Sequence, residues 1–240
     1  MTRGLILTYF VAMTQLTQSV RLEFADDIAL IRIDNPPVNA LSHHVRQGLL
    51  DGMKQAESSE ASAIVLICDG RTFIAGADIT EFSGPPMPPS LQSAQDAMEN
   101  CTKPVVAAVH GTALGGGLEV ALCAHYRVGS PSSQYGLPEV KLGLLPGAGG
   151  TQRLPRVTGA EKALQMMTSG DPISAEEALA CGLIDEIAEE LEAGAIAFAR
   201  RAVSESFPLL RIRDRNDKLS DVSSDLFNEF REGIARKTRG

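Results

Sequence analysis

The chain has 240 residues, enough for one large domain, with 44% apolar residues, 22% charged residues and a formal net charge of −8. The acidic balance, without a long run of Lys or Arg, argues against a nucleic-acid-binding protein. The four cysteines are scattered and form no Cys-x-x-Cys pair, which predicts reduced core thiols in a cytoplasmic protein and no metal site.

The first apolar segment is "GLILTYFVAM", residues 4–13. It has about half of the roughly 20 residues that a membrane-spanning helix needs, so we expect no membrane association. Arg3 before it gives only a weak resemblance to a signal peptide, and Met13 is an alternative start of the protein. We therefore expect residues 1–19 to be an N-terminal extension, compatible with disorder.

Strand and helix patterns alternate through the next part of the chain. "VRLEFADDIALIRID" (20–34) alternates apolar and polar residues around a turn and predicts a β-hairpin. Ser42 is placed to cap a helix that runs to about Glu57. "AIVLICDG" and "PVVAAVHG" are short apolar runs typical of buried strands. A helix from Ser90 to Asn100 lies between them, after the proline-rich loop "SGPPMPPS".

Helices dominate after Pro146. "YRVGS" and "LIDEIA" predict two more strands, whereas "AEKALQMM", "SAEEALACG" and "EELEAGAIAFARRAVS" have helical periodicity. The pattern indicates an α/β core over residues 20–190 and a helical C-terminal region over residues 191–240. No internal repeat is visible.

Two turns rich in glycine and small residues follow predicted strands. In "TFIAGADITEF" (72–82) and "GTALGGGLEVALCA" (111–124), the small residues open the backbone at the start of a helix. Each turn alone is most simply an ordinary strand-to-helix connection, and neither matches a dinucleotide or P-loop phosphate motif. If the amides of Ala77 and Gly116 converge, however, they form an oxyanion hole.

Glu119 and Glu139 stand in apolar, glycine-rich surroundings, where a carboxylate is costly unless it is paired or protonated. Taken singly, each is explained as a residue at a helix N-terminus. Taken together beside two such turns, they favour general acid/base chemistry on a thioester.

Three blocks of this sequence closely resemble the crotonase superfamily, and specifically the enoyl-CoA hydratases. They are "TFIAGADITEF", "KPVVAAVHGTALGGGLEVALCAHYRV" and "QYGLPEVKLGLLPGAGGTQRLPRVTG", and the similarity runs from about residue 20 to about residue 188. The stretch "LGLLPGAGGTQRLPR" followed by "GDPISAEEALACGLIDEI" looks most like the hydratase part of multifunctional fatty-acid oxidation proteins. The resemblance implies a ββα spiral core and assembly as homotrimers or dimers of trimers.

The resemblance also implies an acyl-CoA thioester substrate, with no metal or redox cofactor. Carried over by motif, Glu119 and Glu139 are the catalytic acids, and Ala77 and Gly116 supply the oxyanion-hole amides. The CoA thioester would contact the segment that contains Ala75, Ala77, Asp78, Ile79 and Thr80, together with Gly116, with the adenine near Ala75.

The leading prediction is hydration of a 2-trans-enoyl-CoA in fatty-acid β-oxidation, with an ionised Glu119 polarising water and a protonated Glu139 delivering the proton. The sequence leaves open which Glu carries the proton, because a coupled pair titrates as a unit. Δ3-Δ2-enoyl-CoA isomerisation is the alternative. A third reading is a non-catalytic crotonase scaffold that serves as an oligomerisation or RNA-binding partner. Acyl-chain length is expected to depend on the loop from Ser83 to Ser90 and the helices behind it.

Overall fold

The computed structural model describes residues 10–85, 87–220 and 222–238. Strands and helices alternate as predicted through most of this range. The strands are β1 (Phe10–Thr17), β2 (Val20–Ala25), β3 (Ile28–Ile33), β4 (Ala63–Cys68), β5 (Ile74–Ala75), β6 (Val105–Val109), β7 (Thr112–Leu114), β8 (Tyr126–Gly129), β9 (Gln134–Gly136), β10 (Ile173–Ser174) and β11 (Glu186–Ile187). The helices are α1 (His43–Ser58), α2 (Leu91–Glu99), α3 (Gly116–Ala121), α4 (Gly150–Thr158), α5 (Ala160–Ser169), α6 (Ala175–Cys181), α7 (Leu191–Ser204) and α8 (Leu226–Thr238).

The main sheet has seven strands in the order β1-β2-β3-β4-β6-β8-β11. β2 and β3 form the predicted antiparallel hairpin, and β3, β4, β6, β8 and β11 are parallel. The side chains of β3 and β4 alternate between two apolar clusters, one on each face of the sheet. This two-sided burial explains why these strands are continuous apolar runs in the sequence.

A second, smaller sheet has the order β10-β9-β7-β5. Its strands have only two or three residues each, too few for the sequence pattern to have predicted them. β5 and β7 are parallel neighbours, with Ile74 opposite Ala113 and Ala75 opposite Leu114. Both candidate oxyanion-hole turns leave adjacent strands of this sheet at the same end, which brings them close together.

Residues 10–17 of the predicted N-terminal extension are ordered: they form β1 and pair antiparallel with β2. The chain gains the hydrogen bonds of an otherwise open sheet edge in this way. Residues 1–9 of the predicted extension lie outside the described residues.

The predicted boundary at residue 190 falls within the packed core. α7 buries Ala195, Phe198, Ala199 and Ala202 against one face of the main sheet, so the first helix of the predicted C-terminal region belongs to the α/β core. All four cysteines are free thiols, as predicted; Cys68, Cys101 and Cys123 are buried and Cys181 is half-buried. No helix in the described ranges is long and apolar enough to cross a membrane.

Candidate active site

One cavity of about 440 Å³ brings together most of the predicted site residues. It lies where the small sheet meets α3 and the segment 138–148. Its lining includes the predicted residues Ala75, Ala77, Ile79, Gly116, Glu119 and Glu139. Asp78 and Thr80 instead line a neighbouring cavity of about 680 Å³ beside the start of α1. The predicted thioester site is therefore divided between two adjoining hollows.

The two predicted oxyanion-hole residues, Ala77 and Gly116, lie close together. The nitrogen of Ala77 lies 3.8 Å from the position that a Cβ on Gly116 would occupy. Gly116 is the first residue of α3, where backbone N–H groups have no partner within the helix. Within the described part of the chain, neither amide has a hydrogen-bond acceptor. Two N–H donors are thus available to one oxygen atom.

Gly115 provides the bend that leads into this pair of amides. It has φ +52°, which a glycine adopts more easily than other residues. A Cβ at this position would lie 2.9 Å from Oε1 of Glu139. The Glu139 carboxyl group therefore lies directly against the turn that carries the Gly116 amide.

Glu119 is only 2% exposed, in the first turn of α3. Its Oε1 accepts hydrogen bonds from the amides of Ala148 and Gly150, both at 2.8 Å. Gly149 between them has φ +99°, so that the two N–H groups converge on one oxygen as an anion-binding nest. Donors to this oxygen favour the ionised carboxylate.

The electrostatics of Glu119 are a balance between burial and these donors. Burial raises the pKa of its carboxyl group above the ordinary value of 4.5, whereas the amides of Gly150 and Ala148 and the positive charge of Arg153 act in the opposite direction. Arg153 is itself buried and binds Glu99 with two hydrogen bonds of 2.7 and 2.9 Å.

Glu139 belongs to a 3-10 helix, Pro138–Leu142, and is half-buried. Burial raises the pKa of its carboxyl group above 4.5, and the nearby Glu119 raises it further. Its Oε2 is buried and has no hydrogen-bond partner among the described residues. A carboxyl group with a raised pKa and an unpartnered oxygen is suited to hold a proton and to donate it to a bound molecule.

The sequence analysis predicted that the acyl chain contacts the loop from Ser83 to Ser90 and the helices behind it, and it did not single out the leucines of segment 142–145. Leu142, Leu144 and Leu145 line the cavity that contains the two glutamates. Leu142 is 72% exposed and Leu145 is 80% exposed, an unusual state for large apolar side chains. Residues of the predicted loop, Gly84 and Met87, line an adjacent hollow of about 450 Å³ that shares Ala77 and Leu91 with the first.

The amides of Ala148 and Gly150 were missed as well. They lie in the glycine-rich stretch "LPGAGG", which the sequence analysis used only as a point of resemblance. The signal that could have identified them is Gly149, which lies between them. A glycine there can adopt the positive φ that turns both neighbouring amides towards one acceptor.

The fold and the site place two unpartnered amides and two carboxyl groups around one cavity. The sequence profile of the family "Enoyl-CoA hydratase/isomerase" matches residues 23–214. The chain belongs to this family, which is part of the crotonase superfamily.

Individual relatives agree with this assignment. The chain is 44% identical to a peroxisomal bifunctional enzyme of Danio rerio over 216 residues, which cover 89% of this chain and 30% of that protein. It is 39% identical to a Bacillus subtilis protein named "Probable enoyl-CoA hydratase", over 77% of this chain and 78% of that one. The crystal structure of an enoyl-CoA hydratase from Bacillus anthracis superposes with a TM-score of 0.72 at 29% identity, covering 91% of this chain and 92% of that chain. The chain thus spans about 30% of the length of its bifunctional relatives.

Proposed function

We propose that this chain is an enoyl-CoA hydratase, which adds water across the 2-trans double bond of an enoyl-CoA thioester in fatty-acid β-oxidation. The observation that carries the proposal is that Glu119 and Glu139 share one cavity with the unpartnered amides of Ala77 and Gly116. The apolar lining beyond the carboxyl groups suits a fatty acyl chain. The name of the similar Bacillus subtilis protein supports the same activity.

In the proposed reaction, Glu119 is the ionised base, since its Oε1 accepts two amide hydrogen bonds. It polarises a water molecule for attack at C3. Negative charge then develops on the thioester oxygen, where the amides of Ala77 and Gly116 would each contribute on the order of 3 kcal/mol to the transition state. Glu139 supplies the proton to C2, and its free Oε2 is consistent with this role.

The proposed chemistry requires no metal or redox cofactor, because two carboxyl groups and two amides supply the acid, the base and the oxyanion site. CoA itself is part of the substrate. We propose that it contacts the segment from Ala75 to Thr80, with the adenine near Ala75. Turnover that is unchanged by exhaustive chelation would support a cofactor-free reaction.

Isomerisation of a 3-enoyl-CoA to a 2-enoyl-CoA is a second candidate activity. It needs one carboxyl group to move a proton between C2 and C4, and the unpartnered oxygen of Glu139 favours it. The two activities can coexist in one site.

A turnover panel tests the proposal. The purified chain is given 2-trans-enoyl-CoA substrates of increasing acyl length, and hydration is followed by the loss of absorbance of the conjugated thioester. The 3-enoyl-CoA substrates report isomerisation by a gain of the same absorbance. Binding of acyl-CoA without turnover at any length would contradict both activities and support a non-catalytic scaffold.

We also propose that the chain forms homotrimers or dimers of trimers. Large apolar residues are exposed on and near its C-terminal helices, among them Val203, Leu210, Phe227 and Ile234. Burial against neighbouring subunits would remove this apolar surface from water. Light scattering that gives a monomer at micromolar concentration would contradict the assembly.

The proposed compartment is the cytoplasm, on the ground that the cysteines are free thiols. Several relatives are named as peroxisomal enzymes. Fractionation of the native cells distinguishes the two compartments.

A further inference from the structure

Gln95 is a polar side chain in a place where an apolar one would be expected. It lies on α2 between the buried residues Ala94 and Met98, and it is 0% exposed. It does not line the cavity of the two glutamates. Burying an amide group costs free energy unless hydrogen bonds replace its water, so its contacts need an explanation.

The Nε2 group of Gln95 joins two segments of the candidate active site. It donates hydrogen bonds to the carbonyl oxygen of Ala148 at 2.8 Å and to that of Glu119 at 3.3 Å. Because both neighbours are acceptors, the nitrogen of the amide must face them. The Oε1 atom is then left buried without a partner in the described part of the chain.

These two carbonyl groups belong to the elements that hold the Glu119 carboxylate. One is on Glu119 itself, in α3. The other is on Ala148, between the two amides that donate to Oε1 of Glu119. Gly149 has φ +99°. With this backbone angle, the Ala148 carbonyl points towards α2 while the amides of residues 148 and 150 point towards the carboxylate. The Ala148 carbonyl lies in the peptide plane between the two planes that carry these donors, so a hydrogen bond to it restrains both of them.

We propose that Gln95 is a positioning residue for the catalytic carboxylate of Glu119. Its amide fixes α3 and the 148–150 turn at one separation, so that the carboxylate and its two donors stay aligned. The inference rests on the proposed hydratase function. Gln95 itself touches neither the substrate cavity nor the reacting atoms.

We expect the stability of the fold not to depend on Gln95, because both of its acceptors have other donors. Without it, the Ala148 carbonyl would keep the hydrogen bond from Nη1 of Arg153 at 3.0 Å. The Glu119 carbonyl would keep the contact with Sγ of Cys123 at 3.2 Å. Replacing Gln95 by an apolar side chain thus leaves neither carbonyl without a donor and removes a buried, unpartnered Oε1. We therefore expect such a replacement to change the stability little or to raise it, since no buried group is left newly unpaired.

The test is Gln95→Leu, with Gln95→Met as a second variant of nearly the same shape. We expect kcat for hydration to fall by roughly 10- to 100-fold, the cost of a small misplacement of a catalytic group. KM and the affinity for a saturated acyl-CoA should stay unchanged, and the midpoint of thermal unfolding should stay the same or rise. The matched control is Gln92→Leu on the exposed face of the same helix, where Nε2 donates to Asp96.

The pH profile of hydration separates positioning from general damage. A loosened turn donates less effectively to Glu119, so the pKa of its carboxyl group rises and the acidic limb of the profile moves to higher pH. Other charged groups that act on Glu119 are Glu139 from the 3-10 helix and Arg153 from α4, with Glu99 of α2 paired to Arg153. All of these groups are retained in both variants.

Two failures are distinguishable. A wild-type chain without hydratase activity would refute the proposed function. An active wild type whose Gln95→Leu and Gln95→Met variants keep the wild-type kcat and pH profile would overturn the positioning role alone. A loss of activity that follows a loss of thermal stability in both variants would also overturn it, because Gln95 would then be a structural residue.

Discussion

Arg153 and Glu99 form a buried ion pair directly behind the candidate catalytic carboxylate. Two nitrogens of the guanidinium bind the two carboxylate oxygens at 2.7 and 2.9 Å, and the side chains are only 6% and 1% exposed. The same guanidinium donates to the carbonyl of Ala148, next to the amides that hold Glu119. The ion pair thus connects α2 and α4 to the 148–150 turn, whose amides hold the Glu119 carboxylate.

The first prediction is that Glu99→Gln lowers the free energy of unfolding by about 3–5 kcal/mol, since it leaves a buried guanidinium without a full counter-charge. Chemical denaturation measures the change. The control is Asp171→Asn, which breaks the exposed pair between Lys141 and Asp171 and should cost less than about 1 kcal/mol. Equal effects of the two substitutions would contradict the importance of the buried pair.

The second prediction concerns the two acids, whose substitutions should not be equivalent. Glu139→Gln removes the proton donor that both hydration and isomerisation need, so both rates should collapse. Glu119→Gln removes the base for water but leaves a carboxyl group near C2, so hydration should fall steeply while some isomerisation survives. The losses should be about 100- to 10,000-fold. Steady-state assays of both reactions give the comparison.

Acyl-CoA affinity should change little in either variant, because binding depends on backbone amides and on the CoA contacts. Glu161→Gln, on the exposed surface of α5, serves as the control. Near-wild-type hydration rates in both active-site variants would contradict the catalytic role of Glu119 and Glu139. The two residues would then be explained by their positions at helix N-termini alone.

The third prediction contrasts two neighbouring glycines. A Cβ on Gly116 would meet Cδ1 of Leu41, the movable end of a side chain, at 2.9 Å. Gly116→Val should therefore fold normally by circular dichroism but lose turnover, because the side chain occupies the space in front of the oxyanion-hole amides. A Cβ on Gly117 would lie 2.0 Å from the backbone oxygen of Ile74, so Gly117→Ala should lower thermal stability instead. Wild-type turnover in Gly116→Val would contradict the assignment of the Gly116 amide to the oxyanion hole.

The fourth prediction concerns His125, which is buried and accepts a hydrogen bond at Nδ1 from the amide of Val105. The pKa of this imidazole is lowered from 6.5 to about 4, mainly by burial, and the nearby Arg127 acts in the same direction. The folded state then binds fewer protons than the unfolded state between these two values. The contribution of His125 to the free energy of unfolding is fully present above pH 6.5. It is lost as the pH falls towards 4, and the loss from this group amounts to about 3 kcal/mol.

His125→Gln keeps an acceptor for Val105 but cannot be protonated, so it should remove that part of the acid sensitivity. Denaturation curves at pH 7 and pH 4.5 measure the difference between wild type and variant. An unchanged difference in stability between the two pH values would show that His125 does not titrate in this range.

Local patterns in the sequence were sufficient for the strands of the main sheet other than β1. The hairpin of β2 and β3, α1 with its cap at Ser42, and the buried strands β4 and β6 all agree with the structure. These elements are long enough to show their periodicity, and capping depends on residues that are adjacent in the chain. The motif resemblance predicted Glu119, Glu139, Ala77 and Gly116 as site residues, and all four line one cavity.

Only the tertiary structure decided how these groups are held. The small sheet is built from strands too short to have a period, yet it aligns the turns of Ala77 and Gly116. The donors to Glu119 are backbone amides, which every residue except proline possesses, so no side chain identifies them. Gln95 and Glu99 are polar residues on a helix, and the sequence alone places such residues on the surface. Their side chains instead bond to α3 and α4, at residues 24 and 54 positions away in the chain.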